Sequence, residues 1–200
     1  MLLHNIIKGK RLILASNSPR RQQLLKGLDV DFEIWSTNHE DESYPDDLPA
    51  DEVPVFLAKH KASFFTERLS ADTVIITCDT VVICDGSVLG KPLDYADAVS
   101  ILKQLSGNKH TVITGVCIST SNKSTCFSSF TDVYFRHLTD EEIDYYIERY
   151  KPYDKAGAYG IQEWIGYVAI ERIEGSYFNV MGLPVQMLHN ELLNFINNNQ

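Results

Sequence analysis

Thr73-Val74-Ile75-Ile76-Thr77-Cys78-Asp79-Thr80-Val81-Val82-Ile83-Cys84 is a nearly unbroken run of β-branched and apolar residues, followed at once by Asp85-Gly86. Such a run reads as a central strand or strand pair buried on both faces, and Asp-Gly is the residue pair of a tight hairpin turn. Strands of that kind belong to sheets covered by helices, and the flanking sequence supplies them. Upstream, residues 11–16 form a second apolar strand that meets Ser18 as cap, Pro19 as first helical residue and Gly27 as terminator. A strand at 31–36, an acidic loop at 37–50 and a helix at about 51–69 complete the first half. Downstream, Asp94 caps a helix that Gly107 closes, and strands at 111–119 and 125–136 lead to Thr139 with Glu142, a capping box for a helix to about 150. Two strands within 166–180 and a helix from Pro184, fraying at 197–200, finish the chain. The expectation is a mixed α/β fold in one domain over residues 1–200, with two lobes around a cleft as a variant.

Composition narrows the function classes. Of 200 residues 44% are hydrophobic and 22% charged, enough to bury a sizeable core. The net charge of -9 argues against broad electrostatic adhesion to nucleic acid or to an anionic membrane, so a polyanionic ligand would need a local basic pocket. The first ten residues read as neither signal peptide nor anchor, and no stretch approaches the roughly 18 apolar residues of a membrane span. Cys78, Cys84, Cys117 and Cys126 occur singly without C-x-x-C spacing, and are expected to be buried thiols in a reducing cytoplasm.

Chemistry is sought where polar groups interrupt these patterns. Asp79 sits inside the apolar run, where an unpaired carboxylate would cost several kcal/mol. It is either a turn residue at the strand's end or a carboxylate that is paired, metal-bound or placed at a cleft. Lys61 shares an i+4 row with Val53, Leu57 and Phe65. On that stripe it either meets an anion or snorkels at the core's edge. Ser16-Asn17-Ser18-Pro19-Arg20-Arg21 joins a strand to a helix N-terminus, where free N–H groups favour an anion, and its two arginines oppose the helix dipole unless an anion is bound. Asp154-Lys155-Ala156-Gly157-Ala158-Tyr159-Gly160-Ile161-Gln162 has two glycines that would let backbone approach a ligand, or simply make a tight connection. Gly90-Lys91-Pro92 displays a lysine on a turn. His39, His60 and His110 read as isolated surface histidines without a role.

In this order the segments resemble the Maf family of nucleoside triphosphate pyrophosphatases, over residues 12–188. The shared motifs are S-x-S-P-R-R, the acidic Glu40, A-K-H-K-A ending in Lys61, D-T-V-V at Asp79, G-K-P at Lys91, D-K-A-G-A-Y-G-I-Q, and a late G-L-P. The resemblance implies an elongated, twisted mixed sheet with flanking helices and a central cleft, like that of the inosine triphosphate pyrophosphatases. It further implies a cytoplasmic homodimer that cleaves between the α- and β-phosphates with Mg²⁺ or Mn²⁺. Asp79 would be the proton acceptor, or a metal ligand with metal-bound hydroxide as nucleophile, and Glu40 a metal ligand. Ser16, Arg21, Lys61, Lys91 and Lys155 would hold phosphate. Arg20, Thr80 and Gln162 match the branch acting on dTTP and UTP, with 7-methyl-GTP, another modified nucleotide, or regulation of cell division without turnover as alternatives. Two positions depart from the family's habit: Cys78 before the aspartate, and Glu163 after the glutamine.

The requirements of the chemistry agree. A triphosphate's negative charge must be neutralised by metal and fixed cations, and hard carboxylate oxygens suit Mg²⁺ or Mn²⁺ where zinc would want His and Cys. A glutamine amide supplies the donor and acceptor that the O4 and N3–H edge of uracil or thymine requires. The expectation is that these cations and acids converge on one nucleotide-sized hollow.

Overall fold

The computed structural model describes residues 2–36 and 43–197. In chain order the elements are α1 (Leu3–Ile6), β1 (Arg11–Ala15), α2 (Pro19–Lys26), β2 (Glu33–Trp35), α3 (Val53–Ser63), β3 (Thr73–Cys84), β4 (Ser87–Leu89), α4 (Tyr95–Leu105), β5 (Lys109–Ser119), β6 (Ser124–Phe135), α5 (Asp140–Tyr150), α6 (Trp164–Val168), β7 (Ile170–Glu174), α7 (Tyr177–Val180) and α8 (Val185–Asn197). The strands form one mixed sheet ordered β2-β1-β3-β5-β6-β7, with β4 paired to β3. The fold class is therefore mixed α/β, as the sequence implied.

The opening run is one long strand rather than two. Its first half lies parallel to β1, with Ile13 opposite Ile75 and Leu14 opposite Ile76. Its last three residues turn back onto β4 through Asp85 and Gly86, both at positive φ (49° and 76°). Parallel strands covered on both faces must be apolar throughout, and Ile13, Leu14, Ile75 and Ile76 are all fully buried. Each such side chain contributes roughly 1.5–3 kcal/mol of burial.

Two compact units divide the chain. The first comprises Met1–Asp79, Thr114–Ser129 and Gly182–Gln200, and the second Thr80–Ile113 and Phe130–Met181. The first unit holds β1, β2, α2, α3 and α8, and a core group of Ile13, Ala15, Phe65 and Ile75. In the second, α4 buries Ala98, Ile101, Leu102 and Leu105, the 3–4–7 spacing of one helical face, and α5 does the same with Ile143, Tyr146 and Ile147. Among the described residues no helix is long and apolar enough to cross a membrane.

Several local expectations change. Two strands were expected within 166–180, yet only β7 forms there, flanked by the short helices α6 and α7. The backbone explains part of this: a Cβ at Gly166 would lie 1.8 Å from the carbonyl oxygen of Ile161, so only glycine lets α6 fold back so closely. Ser176, whose hydroxyl accepts from the Asn179 N–H, starts α7. Ser18 precedes α2 but its side chain makes no capping bond. Cys117 and Cys126 are joined by a disulfide, whereas Cys78 and Cys84 are buried free thiols. The pairing comes from neighbouring strands: the β5–β6 connection is closed by Thr120 and Lys123, and the two Cα atoms approach to 4.1 Å. A nine-residue separation carries no motif that would reveal this.

Candidate functional site

In the first unit the site begins with two contacts in step. Thr77 and Asp79 lie two apart on β3 and so share a face, while Ala58 and Lys61 lie three apart on one side of α3. The Thr77 hydroxyl donates to the carbonyl of Ala58 at 2.7 Å, and the Lys61 ammonium donates to the Asp79 carboxylate in a very short contact. Both charged side chains are deeply buried, with only 11% and 10% of their surfaces exposed. Val53, Leu57 and Phe65, the row on which Lys61 sits, are buried as well. The lysine that interrupts the α3 stripe thus faces the aspartate that interrupts the β3 run, and each answers the other's desolvation.

Arg21, half-buried on α2, reaches the same part of β3. Its Nε donates to the carbonyl of Gly182 at 2.9 Å and its Nη1 to the carbonyl of Cys78 at 3.0 Å. These bonds tie the first turn of α2 to the residue beside Asp79 and to the G-L-P segment before α8. Ser16 is buried at the end of β1, and its hydroxyl accepts from the Ser18 N–H at 3.2 Å. The Gln22 amide donates to the Ser16 carbonyl at 3.2 Å. Ser16, Arg21, Lys61 and Asp79 are therefore brought together within one unit, and Arg20 stands half-buried beside Arg21. Burial pushes the Cys78 thiol up, so it stays protonated next to the carboxylate.

Glu40 lies outside the described residues. Among those described, no group of three or more His, Cys, Asp or Glu side chains could hold a metal ion. Mg²⁺ is commonly held through one or two carboxylates, with water and substrate phosphates completing its shell. The hard oxygens of Asp79 fit a share of such a shell.

The second unit holds the remaining expected residues. Thr80, next after Asp79, is half-buried, and Lys91 is exposed on the turn after β4, beside Gly90, whose carbonyl accepts from the Gly157 N–H at 3.1 Å. Lys155, expected among the phosphate ligands, is buried, with its ammonium 2.7 Å from Asp154 and 3.1 Å from Glu163. Gln162 is half-buried, and its Oε1 is shielded from solvent without a hydrogen-bond partner. Tyr146 was not expected to take part, and Glu163 stood out only as a departure from the family's habit. The Tyr146 hydroxyl donates to Glu163 and accepts from the Gly160 N–H at 3.0 Å. A tyrosine on the buried face of an amphipathic helix was the available signal, because a buried hydroxyl needs a partner. His110, expected at the surface, is buried between Tyr159 and Phe135 and bonds the Tyr159 hydroxyl at 2.8 Å. Burial pushes its pKa down to about 4.

Residues 11–195 match the family described as Maf-like protein. The dTTP/UTP pyrophosphatase of Porphyromonas gingivalis is 53% identical over 97% of this chain and 98% of that protein. The dTTP/UTP pyrophosphatase of Bacteroides fragilis is 50% identical over 96% and 98%, and that of Flavobacterium johnsoniae 47% identical over 98% and 100%. Among solved structures, that of a HAM1 protein from Coxiella burnetii is similar at 13% identity, with a TM-score of 0.46 over 92% of this chain and 99% of that one. With its S-x-S-P-R-R turn, its buried Lys61–Asp79 pair and a match over nearly its whole length, this chain belongs to the Maf family.

Proposed function

We propose that this protein hydrolyses dTTP and UTP to the nucleoside monophosphate and pyrophosphate. The observation that carries the chemistry is the buried Lys61–Asp79 pair, a carboxylate held in one orientation at a site with further cationic side chains. The pyrimidine substrates follow from relatives named for that activity at about half identity over nearly full length.

Asp79 acts as proton acceptor for the attacking water. Lys61 neutralises its charge and, with Thr77 anchored to Ala58, fixes its position, so little reorganisation is needed during reaction. Ser16, Arg21, Lys61 and Lys91 bind phosphate oxygens, whose charge must be balanced before an oxygen nucleophile can approach. A Mg²⁺ or Mn²⁺ ion, held by Asp79 and Glu40, would supply charge neutralisation and a more acidic bound water. Arg20, Thr80 and Gln162 discriminate among bases. The same reading has the protein as a cytoplasmic homodimer, in keeping with the family resemblance.

The test is a panel of nucleoside triphosphates assayed with Mg²⁺ or Mn²⁺, comparing kcat/KM. dTTP and UTP are expected to lead, and Asp79→Asn is expected to lower turnover at least about a hundredfold. Preference for a purine or 7-methyl-GTP would refute the substrate assignment. Tight nucleotide binding without turnover would favour the regulatory alternative.

A further inference from the structure

Within the second unit, a polar chain runs beneath the loop that carries Gln162. It starts at the Gly160 N–H, passes through the Tyr146 hydroxyl to the Glu163 carboxylate, and ends on the Lys155 ammonium at 3.1 Å. Tyr146 is fully buried, and Lys155 and Glu163 expose only 8% and 18% of their side chains. The loop closes on itself twice more: the Glu163 N–H donates to the Gly160 carbonyl at 2.9 Å, and the Ala158 N–H to the Lys155 carbonyl at 3.1 Å. Gln162 lies between the two anchored residues, Gly160 and Glu163. There is no slack beneath it, because a Cβ on Gly160 would stand 2.9 Å from both the Gln162 Nε2 and the Glu163 carboxyl carbon. The one group this framework leaves unmet is the Gln162 Oε1, a buried acceptor without a donor.

We infer that Tyr146 and Glu163 are positioning residues that fix the side-chain amide of Gln162, the group read above as discriminating among bases. Uracil and thymine present an acceptor at O4 beside an N–H at N3, whereas cytosine presents a donor beside an acceptor there, so an amide held in one orientation tells them apart. The framework thereby sets a preference for imide bases, and Lys155 serves as its counter-charge rather than as a phosphate ligand. This rests on the dTTP/UTP reading above and goes beyond it by giving Tyr146 and Glu163 a part in that selectivity. The tyrosine hydroxyl stays a donor throughout: burial and the neighbouring carboxylate both push its pKa up.

Two nearly isosteric variants of the full chain test this. Tyr146→Phe removes the hydroxyl, and Glu163→Gln keeps an acceptor for Tyr146 while dropping the charge that holds Lys155. For each, KM and kcat are measured with dTTP, UTP and CTP, and Kd with the α,β-methylene analogues of dTTP and CTP. Tyr146→Phe is expected to raise KM for dTTP and UTP about three- to tenfold, the effect of one misaligned hydrogen bond. Its kcat stays near that of the parent, and its preference for dTTP over CTP falls by a similar factor. Glu163→Gln, which still accepts from the Tyr146 hydroxyl, is expected to show a smaller loss in the same direction. Variants that weaken all three substrates by one common factor, or leave every ratio unchanged, would overturn the positioning role. The analogue Kd ratios separate the two claims. If the parent protein binds the analogues but releases no pyrophosphate from dTTP or UTP, the functional reading fails, while a thymine preference lost in Tyr146→Phe still supports the positioning role and a ratio untouched by it refutes that role.

Discussion

Lys61 and Asp79 each break the pattern of the element they sit on, and side by side they account for one another. Removing either partner leaves a charge buried without its counter-ion, at a cost of about 3–5 kcal/mol where the pair is well shielded. We expect Lys61→Met to lower unfolding stability by an amount in that range, and Lys61→Met with Asp79→Asn together to cost less than the two single changes summed. A coupling of roughly 1–3 kcal/mol from urea unfolding of the four proteins is the predicted result, and strict additivity would refute the pairing. Both residues were legible as anomalies in the sequence. Their partnership was not, because it depends on α3 lying against β3 in one register, set in part by Thr77 and Ala58. The neighbours of Lys155 were hidden for the same reason. A basic residue before two glycines suggests an anion, but the anions it meets are the side chains of Asp154 and Glu163.

Elements with strong local chemistry were readable: the Asp85-Gly86 turn, the Asp94 cap of α4, and the reciprocal Thr139–Glu142 box of α5 all form. Thr139→Ala should lower stability by about 1 kcal/mol, seen as a shift in urea midpoint without a change in slope. Helices of five and four residues, α6 and α7, are too short to print a helical period, so a strand reading survived there. The disulfide escaped because register between strands is a tertiary property. Acid should destabilise the second unit for two reasons. Folded His110 has its pKa pushed down to about 4, so below its ordinary value of 6.5 the unfolded chain takes up a proton that the folded protein refuses. Stability is therefore lost as pH falls from about 6.5 to about 4, by up to roughly 3 kcal/mol. The Arg136 guanidinium beside Glu142 and the Thr139 N–H hold that carboxyl down at about 2, so its contribution is present above 4.5 and lost as pH falls through about 2. His110→Gln, which keeps a partner for Tyr159 without titrating, should flatten the first decline. An undiminished slope between pH 6.5 and 4 would show that His110 is not its source.

At the scale of the whole molecule, a net charge of -9 coexists with two cations, Arg21 and Lys61, brought to adjacent residues of β3, Cys78 and Asp79. That contrast suits a small polyanion and disfavours a long one. The order of strands and helices could be read along the chain because parallel strands, caps and glycines each leave a local mark. Two lobes were open only as a variant, and where the two compact units divide could not be read, since β3, β5 and β6 run across the boundary without a linker. Every role assigned here depends on cleavage between the α- and β-phosphates, which phosphorus NMR of the products reads out. With dTTP or UTP and Mg²⁺, the monophosphate resonance is expected together with the single line of pyrophosphate. Accumulation of the diphosphate and orthophosphate instead would contradict it.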